Sequence, residues 1–435
     1  MSSSVLVIGA GLAGCEAAWQ LAERGINVRL FEMKPENKSP AHISPSYAEL
    51  VCSNSFRSNE LTNAAGLLKE EMRRLGSLVI KTADETKIPA GGALAVDRES
   101  FAKAVTQKIK AHSLIDIITH EVIDIPDERV IIATGPLTSD SLAEKIADIF
   151  PDKKTLSFYD SAAPIVTFES INMENAFFAS RYDKGEADYI NCPMDKEQYT
   201  TFYRELINAE CAEVHGFEDK SVFEGCIPIE IMAKRGEDTM RFGPLKPVGL
   251  RDPNTEKAPH AVVQLRKDNK EGTLYNLVGF QTHLKFPEQK RVFRLIPALE
   301  NAEIVRYGVM HRNTYIDSPR LLDKYFRLRD NKKISFAGQI TGVEGYVESA
   351  ASGLLCGLEI ARELLGLAPI DFTGDTAIGA LALYISSGSV SDFQPMNINF
   401  GIINPLGFKV KGKREKNLKI SERSLKLIDT IKGEW

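Results

Sequence analysis

This sequence lacks two things: closely spaced cysteines and an excess of positive over negative charge. Its six cysteines are scattered over 435 residues, at positions 15, 52, 192, 211, 226 and 356. Zinc ribbons and redox dithiols need a C-x-x-C pair, so both are excluded, and we expect no metal site. So few cysteines in so long a chain also argue against a disulfide framework, which favours a reduced, cytoplasmic protein.

Long apolar segments are missing as well. Crossing a bilayer takes about 18–20 consecutive apolar residues, and no run in the sequence approaches that length. The N-terminal MSSSVLVIGAGLAG has no charged stretch before its short apolar run, so we expect neither a signal peptide nor a membrane partner. The formal net charge of −5 means that any nucleic-acid partner must be met by a local basic patch.

The glycine-rich segment near the N-terminus has the features of a dinucleotide-binding βαβ unit. In VLVIGAGLAGCEAAWQLAERGINVRLFE (5–32), an apolar run precedes a G-x-G-x-x-G motif, a helical pattern and a second apolar run. Gly9 allows the tight turn, Gly11 lets the backbone approach a pyrophosphate, and Gly14 allows close packing of helix and strand. Glu32 follows Gly14 by 18 residues, close to the spacing of an acid that binds a ribose 2′-hydroxyl.

The glycine motif alone is weak, because ordinary glycine turns produce it too. The combination of strand, glycines, helix and terminal acid favours a dinucleotide, and an acid rather than a base favours FAD or NAD over NADP. The residues that we expect to contact the cofactor in this unit are Gly9, Ala10, Gly11, Leu12, Ala13, Gly14 and Glu32.

Two later segments favour FAD. RVIIATGP (129–136) is an apolar run that ends in a small-residue turn at Gly135, as in many flavoproteins of this fold. In KKISFAGQITGVEGYVESAASGLLCGLEIARELLG (332–366), a strand leads into glycines and a long helix, whose N-terminus would favour the negative charge of a reduced flavin. A plain helix start with glycine turns is the alternative. The cofactor residues expected here are Gly338, Gln339, Gly342, Val343 and Gly345.

Length and pattern indicate two domains in an α/β fold. A Rossmann-like FAD-binding domain is expected from residues 1–170 and 310–435, with an inserted α+β domain at 171–309 for substrate. The helix predicted in MDKEQYTTFYRELINAE (194–210) begins with a capping-box pattern, Asp195 followed by Gln198. Strand-like runs such as AVVQLR (261–266) follow it, separated by loops rich in Gly, Pro, Asp and Asn.

The C-terminal segment is a basic stretch in a chain of net negative charge. KVKGKREKNLKISERSLK (409–426) holds eight Lys or Arg residues against two Glu residues. Its leucines recur at near-helical spacing, which is also typical of a solvated amphipathic helix. The two interpretations are compatible, because one face of a helix can pack while the other meets phosphate.

Taken together, the motifs of this chain resemble one family closely. They are IGAGLAGCEAAWQLA (8–22), LVCSNSFRSN (50–59), PAGGALAVDRESFA (89–102), FEGCIPIE (223–230) and GQITGVEGYVESAASG (338–353). The sequence is similar to the bacterial folate- and FAD-dependent tRNA methyltransferases, the TrmFO family. The glycine motifs are shared with the sister GidA/MnmG family, which carries an extra helical C-terminal domain for which we expect no room here.

The resemblance implies methylation at C5 of a uridine in the tRNA T-loop, at position 54. It implies 5,10-methylenetetrahydrofolate as the carbon donor, FAD as the reducing group and NADH or NADPH as the electron source. The partner is then the T-arm of tRNA, and no obligate protein partner is expected. The residues that we expect to contact tRNA are Lys411, Lys413, Arg414 and Lys416.

The resemblance also implies the catalytic residues. A thiolate added to uracil C6 makes C5 nucleophilic, and a base must later remove the C5 proton. The nucleophile maps to Cys226 and the base to Cys52. His283 is expected to stack on the folate pterin, although a partly exposed strand histidine is equally in keeping with the sequence. Tyr346 is expected to form an aromatic wall for uracil or folate, and Arg57 to bind flavin or folate carboxylates.

Three other interpretations stay open. A GidA/MnmG-like enzyme would modify the wobble uridine, a generic FAD oxidoreductase would need no RNA, and a non-catalytic flavoprotein could bind RNA without either cysteine. Of the other thiols, Cys15, Cys211 and Cys356 are expected to be packing residues. Cys192, just before a proline, is ambiguous.

Overall fold

The structure is a computed structural model that describes residues 4–39, 41–150, 156–183, 186–212, 227–253, 255–388 and 393–434. It contains a parallel sheet, a larger antiparallel sheet and two small antiparallel sheets, surrounded by helices. None of the helices in this part of the chain combines the length and the apolar character that crossing a bilayer requires.

The described strands are β1 (Ser4–Ile8), β2 (Asn27–Glu32), β3 (Ser55–Ser58), β4 (Lys87–Ile88), β5 (Ala93–Val96), β6 (Ile115–Thr119), β7 (Val130–Ile132), β8 (Leu156–Ser161), β9 (Ile165–Thr167), β10 (Phe177–Ala179), β11 (Tyr189–Met194), β12 (Ala261–Lys267), β13 (Leu274–Leu277), β14 (Ile304–Arg306), β15 (Met310–Tyr315) and β16 (Ile334–Phe336). The described helices are α1 (Leu12–Ala22), α2 (Ala64–Arg74), α3 (Leu78–Glu85), α4 (Arg98–Ala111), α5 (Asp140–Asp148), α6 (Lys196–Ile207), α7 (Ile229–Lys234), α8 (Thr239–Phe242), α9 (Phe286–Phe293), α10 (Ser318–Leu321), α11 (Tyr346–Leu364), α12 (Ala377–Ser386) and α13 (Lys413–Lys432).

The parallel sheet has the strand order β16–β7–β1–β2–β6. Its central strand β1 pairs in parallel with β2 and with β7, and it is apolar and buried along almost its whole length. The loops that follow β1, β7 and β16 all leave from the carboxyl edge of this sheet. Ligands of open α/β sheets bind in the crevice outside this edge, where the strand order reverses. The predicted strand–glycines–helix–strand unit is confirmed, and so is the Rossmann-like α/β fold.

The antiparallel sheet has the order β10–β11–β12–β13–β9–β14. Side chains alternate along its strands, because successive residues of a strand point to opposite faces. On β12, Val263 and Leu265 face an apolar core shared with α6 and α9, whereas Gln264 and Arg266 point to the other face. The α6 capping box is confirmed, with Asp195 accepting a hydrogen bond from the Gln198 backbone N–H at 2.8 Å. The exact domain boundaries stay a prediction.

Helices α1 and α11 pack unusually close to one another. A Cβ atom added at Gly353 would lie 2.2 Å from the carbonyl oxygen of Ala13, and one at Gly357 would lie 2.8 Å from that of Ala17. Only glycine therefore allows this approach of the two helices. The contact places the glycine loop at the start of α1 beside the glycine loop at the start of α11.

Three cysteines lie in apolar cores. Cys15 and Cys356 are buried in the core around the parallel sheet, as predicted, and Cys192 is buried in the core of the antiparallel sheet. Burial raises the pKa of all three thiols, that of Cys356 to about 12, so each is a packing residue. Cys211 differs, because it is only half-buried at the edge of its core.

We expect Gly353→Ala to lower the free energy of unfolding by about 1–3 kcal/mol, the usual cost of overpacking. Helix propensity alone would favour alanine by about 1 kcal/mol, so a net loss in urea unfolding reports the steric conflict with α1. Gly407→Ala is the matched control, because an added Cβ meets nothing within 4 Å there. Equal stability of the two variants would contradict this account of the helix contact.

Candidate active site

A cavity of about 410 Å³ opens at the carboxyl edge of the parallel sheet. This volume falls in the range of small-molecule and cofactor sites. Its lining comes from the loops after β1, β2, β7 and β16, from the segment around Cys52 and from Arg266 of the antiparallel sheet. The site therefore lies where both sheets meet.

The first glycine loop shapes one end of the cavity. Gly9 has φ of +97°, a conformation that favours glycine, and Gly14 packs so closely that a Cβ there would lie 1.8 Å from the Gly9 carbonyl oxygen. At Gly11, in contrast, an added Cβ would meet no protein atom within 4 Å. The backbone at Gly11 is therefore accessible from the cavity, as the binding of a pyrophosphate requires.

Glu32 ends β2 at the cavity wall. One carboxylate oxygen accepts a hydrogen bond from the Ala10 N–H at 2.8 Å, and the other accepts from the Lys34 N–H at 3.0 Å. A carboxylate offers about four lone-pair positions, so these two bonds fix its orientation and leave acceptors for hydroxyl groups of a ribose.

The second glycine loop shapes the opposite part of the cavity. The cavity lining as a whole includes nine of the residues expected to contact the cofactor: Gly9, Gly11, Leu12, Ala13, Glu32, Gly135, Gly338, Gln339 and Gly345. The other expected cofactor residues, Ala10, Gly14, Gly342 and Val343, are not among the residues that line the cavity. Gly342 packs closely against Phe393, since an added Cβ would lie 2.4 Å from the Phe393 ring. Both α1 and α11 begin at the cavity, so two positive helix ends face it.

Two arginine side chains and one tyrosine side chain fix the loop that contains Cys52. The Cys52 loop comprises residues 50–54. From α4, the Arg98 guanidinium donates to the carbonyl oxygens of Leu50 and Val51 at 2.6 and 3.1 Å. From β12, Arg266 donates to the Ser53 hydroxyl at 2.8 Å and to the Asn54 side chain at 3.0 Å.

Tyr346, the first residue of α11, completes this set of contacts. Its hydroxyl oxygen accepts hydrogen bonds from the backbone N–H groups of Cys52 and Ser53 at 2.9 and 3.2 Å. The Cys52 Sγ atom lies 3.0 Å from the same oxygen. Burial, and then the neighbouring Cys52, raise the pKa of Tyr346 well above its ordinary value, so the hydroxyl keeps its proton.

Counting donors and acceptors assigns the direction of the contact between Tyr346 and Cys52. A hydroxyl has two acceptor lone pairs and one donor hydrogen. The two backbone N–H groups use both lone pairs, so the hydrogen of Tyr346 is directed at the Cys52 sulfur. A hydrogen bond donated to the sulfur favours thiolate over thiol.

Arg57 lines the cavity, but it already has an anionic partner. Its guanidinium forms an ion pair with the Glu348 carboxylate, which is fully buried and also accepts a hydrogen bond from the Ile398 N–H at 2.8 Å. Arg57 adopts φ of +61°, in the left-handed region. About a third of its side chain stays exposed, so the guanidinium can still meet a ligand carboxylate.

His283 lies apart from the residues that line the cavity. It is buried, and its Nδ1 atom forms an ion pair with Glu230 of α7. Burial alone would lower the pKa of His283, but contacts with Cys211 and Glu230 outweigh burial and raise it to about 9. Gln281, two residues earlier, does line the cavity, so pterin stacking by His283 stays a prediction.

Cys226, the expected nucleophile, lies outside the described residues. The first described residues after it are Ile227 and Pro228, followed by α7. The Ile229 N–H donates to the Gln281 carbonyl oxygen at 2.7 Å, and Gln281 lines the cavity. The chain that follows Cys226 is thus tied directly to a wall of the cavity.

The basic C-terminal segment forms α13. Its inner face, including Ile420, Leu425 and Ile428, is buried in the core around the parallel sheet, whereas Leu418 is exposed. The residues expected to contact tRNA, Lys411, Lys413, Arg414 and Lys416, are all exposed. One face packs and the other presents cations, as the sequence pattern predicts.

Two features of the site could not be found in the sequence. Arg98 and Arg266 are distant from Cys52 in the chain, and no motif spacing links them to it. Cys211, Glu230 and His283 come together although no short metal-binding or catalytic motif contains them. The residue type is the only sign, since arginine and glutamate are almost never fully buried without a partner.

The comparisons with known proteins agree with this geometry. A family model described as "Glucose inhibited division protein A" matches residues 4–368. A relative from Acetivibrio thermocellus, named methylenetetrahydrofolate–tRNA-(uracil-5-)-methyltransferase TrmFO, is 61% identical over 429 residues, which cover 98% of each chain. A protein of the same name from Bacillus licheniformis is 57% identical over 99% of each chain.

Among solved structures, the chain is similar to GidA from Aquifex aeolicus. The TM-score is 0.72 with 17% sequence identity, over 99% of this chain and 73% of the GidA chain. At that identity the likeness shows a shared fold and nothing more specific. The full-length identity to the two relatives is far higher. This chain therefore belongs to the TrmFO family, within the wider group of proteins that share the GidA fold.

Proposed function

We propose that this protein is a cytoplasmic enzyme that methylates C5 of uridine 54 in the T-loop of tRNA. Its carbon donor is 5,10-methylenetetrahydrofolate, its flavin is FAD, and NADH or NADPH supplies the electrons. The observation that carries this proposal is the placement of the Cys52 thiol, with a tyrosine hydroxyl directed at it, inside a cavity lined by one dinucleotide-type glycine loop and a second glycine loop at the start of α11. Full-length identity to relatives named for this reaction supports it.

The residues present fit FAD. The open approach at Gly11 suits a pyrophosphate, Glu32 suits an adenosine ribose, and the N-terminus of α11 suits the electron-rich edge of a flavin ring. Bound FAD would supply the electrons that reduce the transferred one-carbon unit from methylene to methyl. The chain itself must supply a nucleophile, a base and the positioning of both.

Cys226 acts as the nucleophile in this proposal. Its thiolate adds to C6 of the uracil, which forms a sulfur–carbon bond and places electron density on C5. After the one-carbon unit joins C5, the Cys52 thiolate accepts the C5 proton. The bond between the methylene carbon and its carrier nitrogen then breaks, and the nitrogen leaves with the bonding electrons. Once the exocyclic methylene has gained a hydride equivalent, whose electrons bound FAD would supply, the Cys226 thiolate leaves C6 and the C5=C6 double bond forms again.

The position of the Cys52 thiol suits the role of the base. Cys52 is fixed within the cavity by Arg98, Arg266 and Tyr346, as a base must be to meet one particular proton. Cys226 precedes a helix that is bound to the cavity wall through Gln281. The exposed cations at the start of α13 would hold the phosphates of the tRNA, because phosphate contacts provide most of the affinity for nucleic acids.

The decisive experiment uses a T-loop RNA that carries 5-fluorouridine. Fluorine at C5 cannot leave as a proton does, so the covalent adduct between the protein and the RNA accumulates. We expect Cys226→Ala to abolish both the adduct and methylation. Cys52→Ala should lower methylation at least about 100-fold but still form the adduct, because the base acts after the attack.

Mass spectrometry of the trapped adduct identifies the residue attached to RNA. Cys192→Ala serves as a control for thiol loss, since Cys192 is buried in a core away from the cavity. An adduct that survives in Cys226→Ala, or one that maps to Cys52, would overturn the assignment of the two cysteines.

Tyr346→Phe tests the hydrogen bond to Cys52. Hydrogen bonds to charged groups contribute about 1.5–3 kcal/mol, so removing the hydroxyl should make the Cys52 thiolate less favourable and slow the alkylation of Cys52 at neutral pH. The sign follows from the loss of a donor that favours thiolate. Methylation at neutral pH should fall about 10- to 100-fold, while FAD content stays unchanged. Peptide mapping separates alkylation of Cys52 from that of the other thiols.

Tyr384→Phe is the matched control for this variant, because the Tyr384 hydroxyl binds the Gln394 carbonyl oxygen at 2.7 Å and does not line the cavity. It should leave the rate of Cys52 alkylation unaltered. An identical alkylation profile in the Tyr346→Phe and unaltered proteins would show that the hydroxyl does not act on the sulfur.

The tRNA surface is tested by changing Lys411, Lys413, Arg414 and Lys416 together to glutamine. If all four contact phosphate, the slope of log affinity against log salt concentration should become shallower by up to about 3–4. FAD content should not change. The same substitution at four exposed lysines elsewhere, Lys103, Lys145, Lys332 and Lys333, should have little effect on affinity. If both sets of substitutions lowered the affinity for tRNA equally, the RNA would bind at a surface other than the start of α13.

A further inference from the structure

A second cluster of reactive side chains lies outside the residues that line the cavity. The Cys211 Sγ atom, a carboxylate oxygen of Glu230 and a ring nitrogen of His283 all lie within 4.8 Å of one another. Glu230 and His283 are buried, and Cys211 is half-buried, so the cluster has one side accessible from solvent. Methyl transfer as proposed above uses neither Cys211 nor Glu230.

The three residues come from separate segments that backbone hydrogen bonds hold together. Cys211 pairs with Leu284 in an isolated antiparallel bridge, and the Ala212 N–H donates to the His283 carbonyl oxygen at 2.8 Å. Lys285 N–H donates to the Glu210 carbonyl oxygen at 3.0 Å. The segment that contains Cys211 is thereby fixed beside the segment that contains His283.

Glu230 is fixed to the same segment from the other side. One carboxylate oxygen accepts from the His283 backbone N–H at 2.9 Å, and the other accepts from the Thr282 hydroxyl at 2.8 Å. The Ile229 N–H, next to it, donates to the Gln281 carbonyl oxygen at 2.7 Å. The three side chains are thus arranged before any ligand arrives, which reduces the entropic cost of binding.

We propose that Cys211, Glu230 and His283 bind one zinc ion, against the expectation of no metal site, which rested on cysteine spacing alone. A thiolate, an imidazole and a carboxylate together suit zinc, whereas magnesium and calcium prefer oxygen ligands alone. Three protein ligands leave the fourth tetrahedral position for water or another small ligand. None of the three residues lines the cavity, and the proposed methyl transfer gives a role only to His283, as the residue expected to stack on the pterin. The ion would therefore hold the segments of Cys211, Glu230 and His283 together beside the cavity wall.

The geometry requires only side-chain adjustments. Ligand bonds of about 2.0–2.3 Å in a tetrahedron place neighbouring ligand atoms about 3.3–3.6 Å apart. The three ligand atoms all lie within 4.8 Å of one another, and the His283 and Glu230 side chains form a close ion pair, so side-chain rotation alone can bring them to this spacing. The hydrogen-bonded His283 and Glu230 side chains would separate to admit the ion, while the Thr282 hydroxyl keeps the carboxylate oriented.

The direct test is zinc binding by the intact FAD-loaded protein. The protein is stripped with a chelator, dialysed against buffered zinc, and measured for bound zinc and for X-ray absorption at the zinc edge. We expect one zinc per chain with one sulfur ligand at about 2.3 Å. Cys211→Ser should remove the sulfur ligand and weaken binding at least about 100-fold, since even the partners of ligands affect affinity 10- to 100-fold.

Two further variants complete the test. Glu230→Gln should weaken zinc binding, whereas Glu210→Gln should not, because Glu210 is adjacent to Cys211 but pairs with Lys285 on the surface. Zinc should raise the melting temperature of the unaltered protein but not that of Cys211→Ser. Zinc that binds without a sulfur ligand, or equally well to Cys211→Ser, overturns the proposal. Because zinc is measured without RNA or folate, this result is independent of the methyl-transfer assays.

Discussion

The close packing of α1 against α11 is the contact on which the cavity depends. Each helix follows a glycine loop, and each loop supplies one part of the cavity wall. If side chains separated the helices, the two loops would move apart and a single ligand could not touch both. Gly353 and Gly357 do not contact the ligand themselves. Because they lack side chains, the axes of α1 and α11 lie close together, and this spacing sets the distance between the two loops.

Buried carboxylates hold the helices around this pair. Glu16 of α1 accepts hydrogen bonds from Ser77 and from the backbone N–H groups of Leu78 and Val79, at the start of α3. Glu71 of α2 does the same for α12, where it binds two backbone N–H groups at 2.7 and 2.8 Å. Burial raises the pKa of both carboxyl groups, that of Glu71 to about 7, so their main contribution is to accept hydrogen bonds from the free N–H groups of the two helix N-termini. These contacts align several helices without adding apolar area.

The sequence predicts contacts between residues close together in the chain, but not contacts between residues that are far apart in it. Gly9 and Glu32 could be placed because strand, turn and helix follow each other within a short segment, whose periodicity is visible. Cys52 was identified through a motif, but its partners were not. Arg98 and Arg266 reach the Cys52 loop from another helix and another sheet, and tertiary packing alone decides such pairs. Leu418 shows the same limit, because its helical spacing suggested the packed face and it is exposed.

The contacts of Arg266 have a mechanical consequence. Arg266 belongs to the antiparallel sheet, yet its guanidinium holds Ser53 and Asn54 of a loop that belongs to the other half of the molecule. Any rotation of the antiparallel sheet away from the cavity must break these bonds or drag the loop with it. The position of the Cys52 thiol in the cavity is therefore coupled to the orientation of the antiparallel sheet.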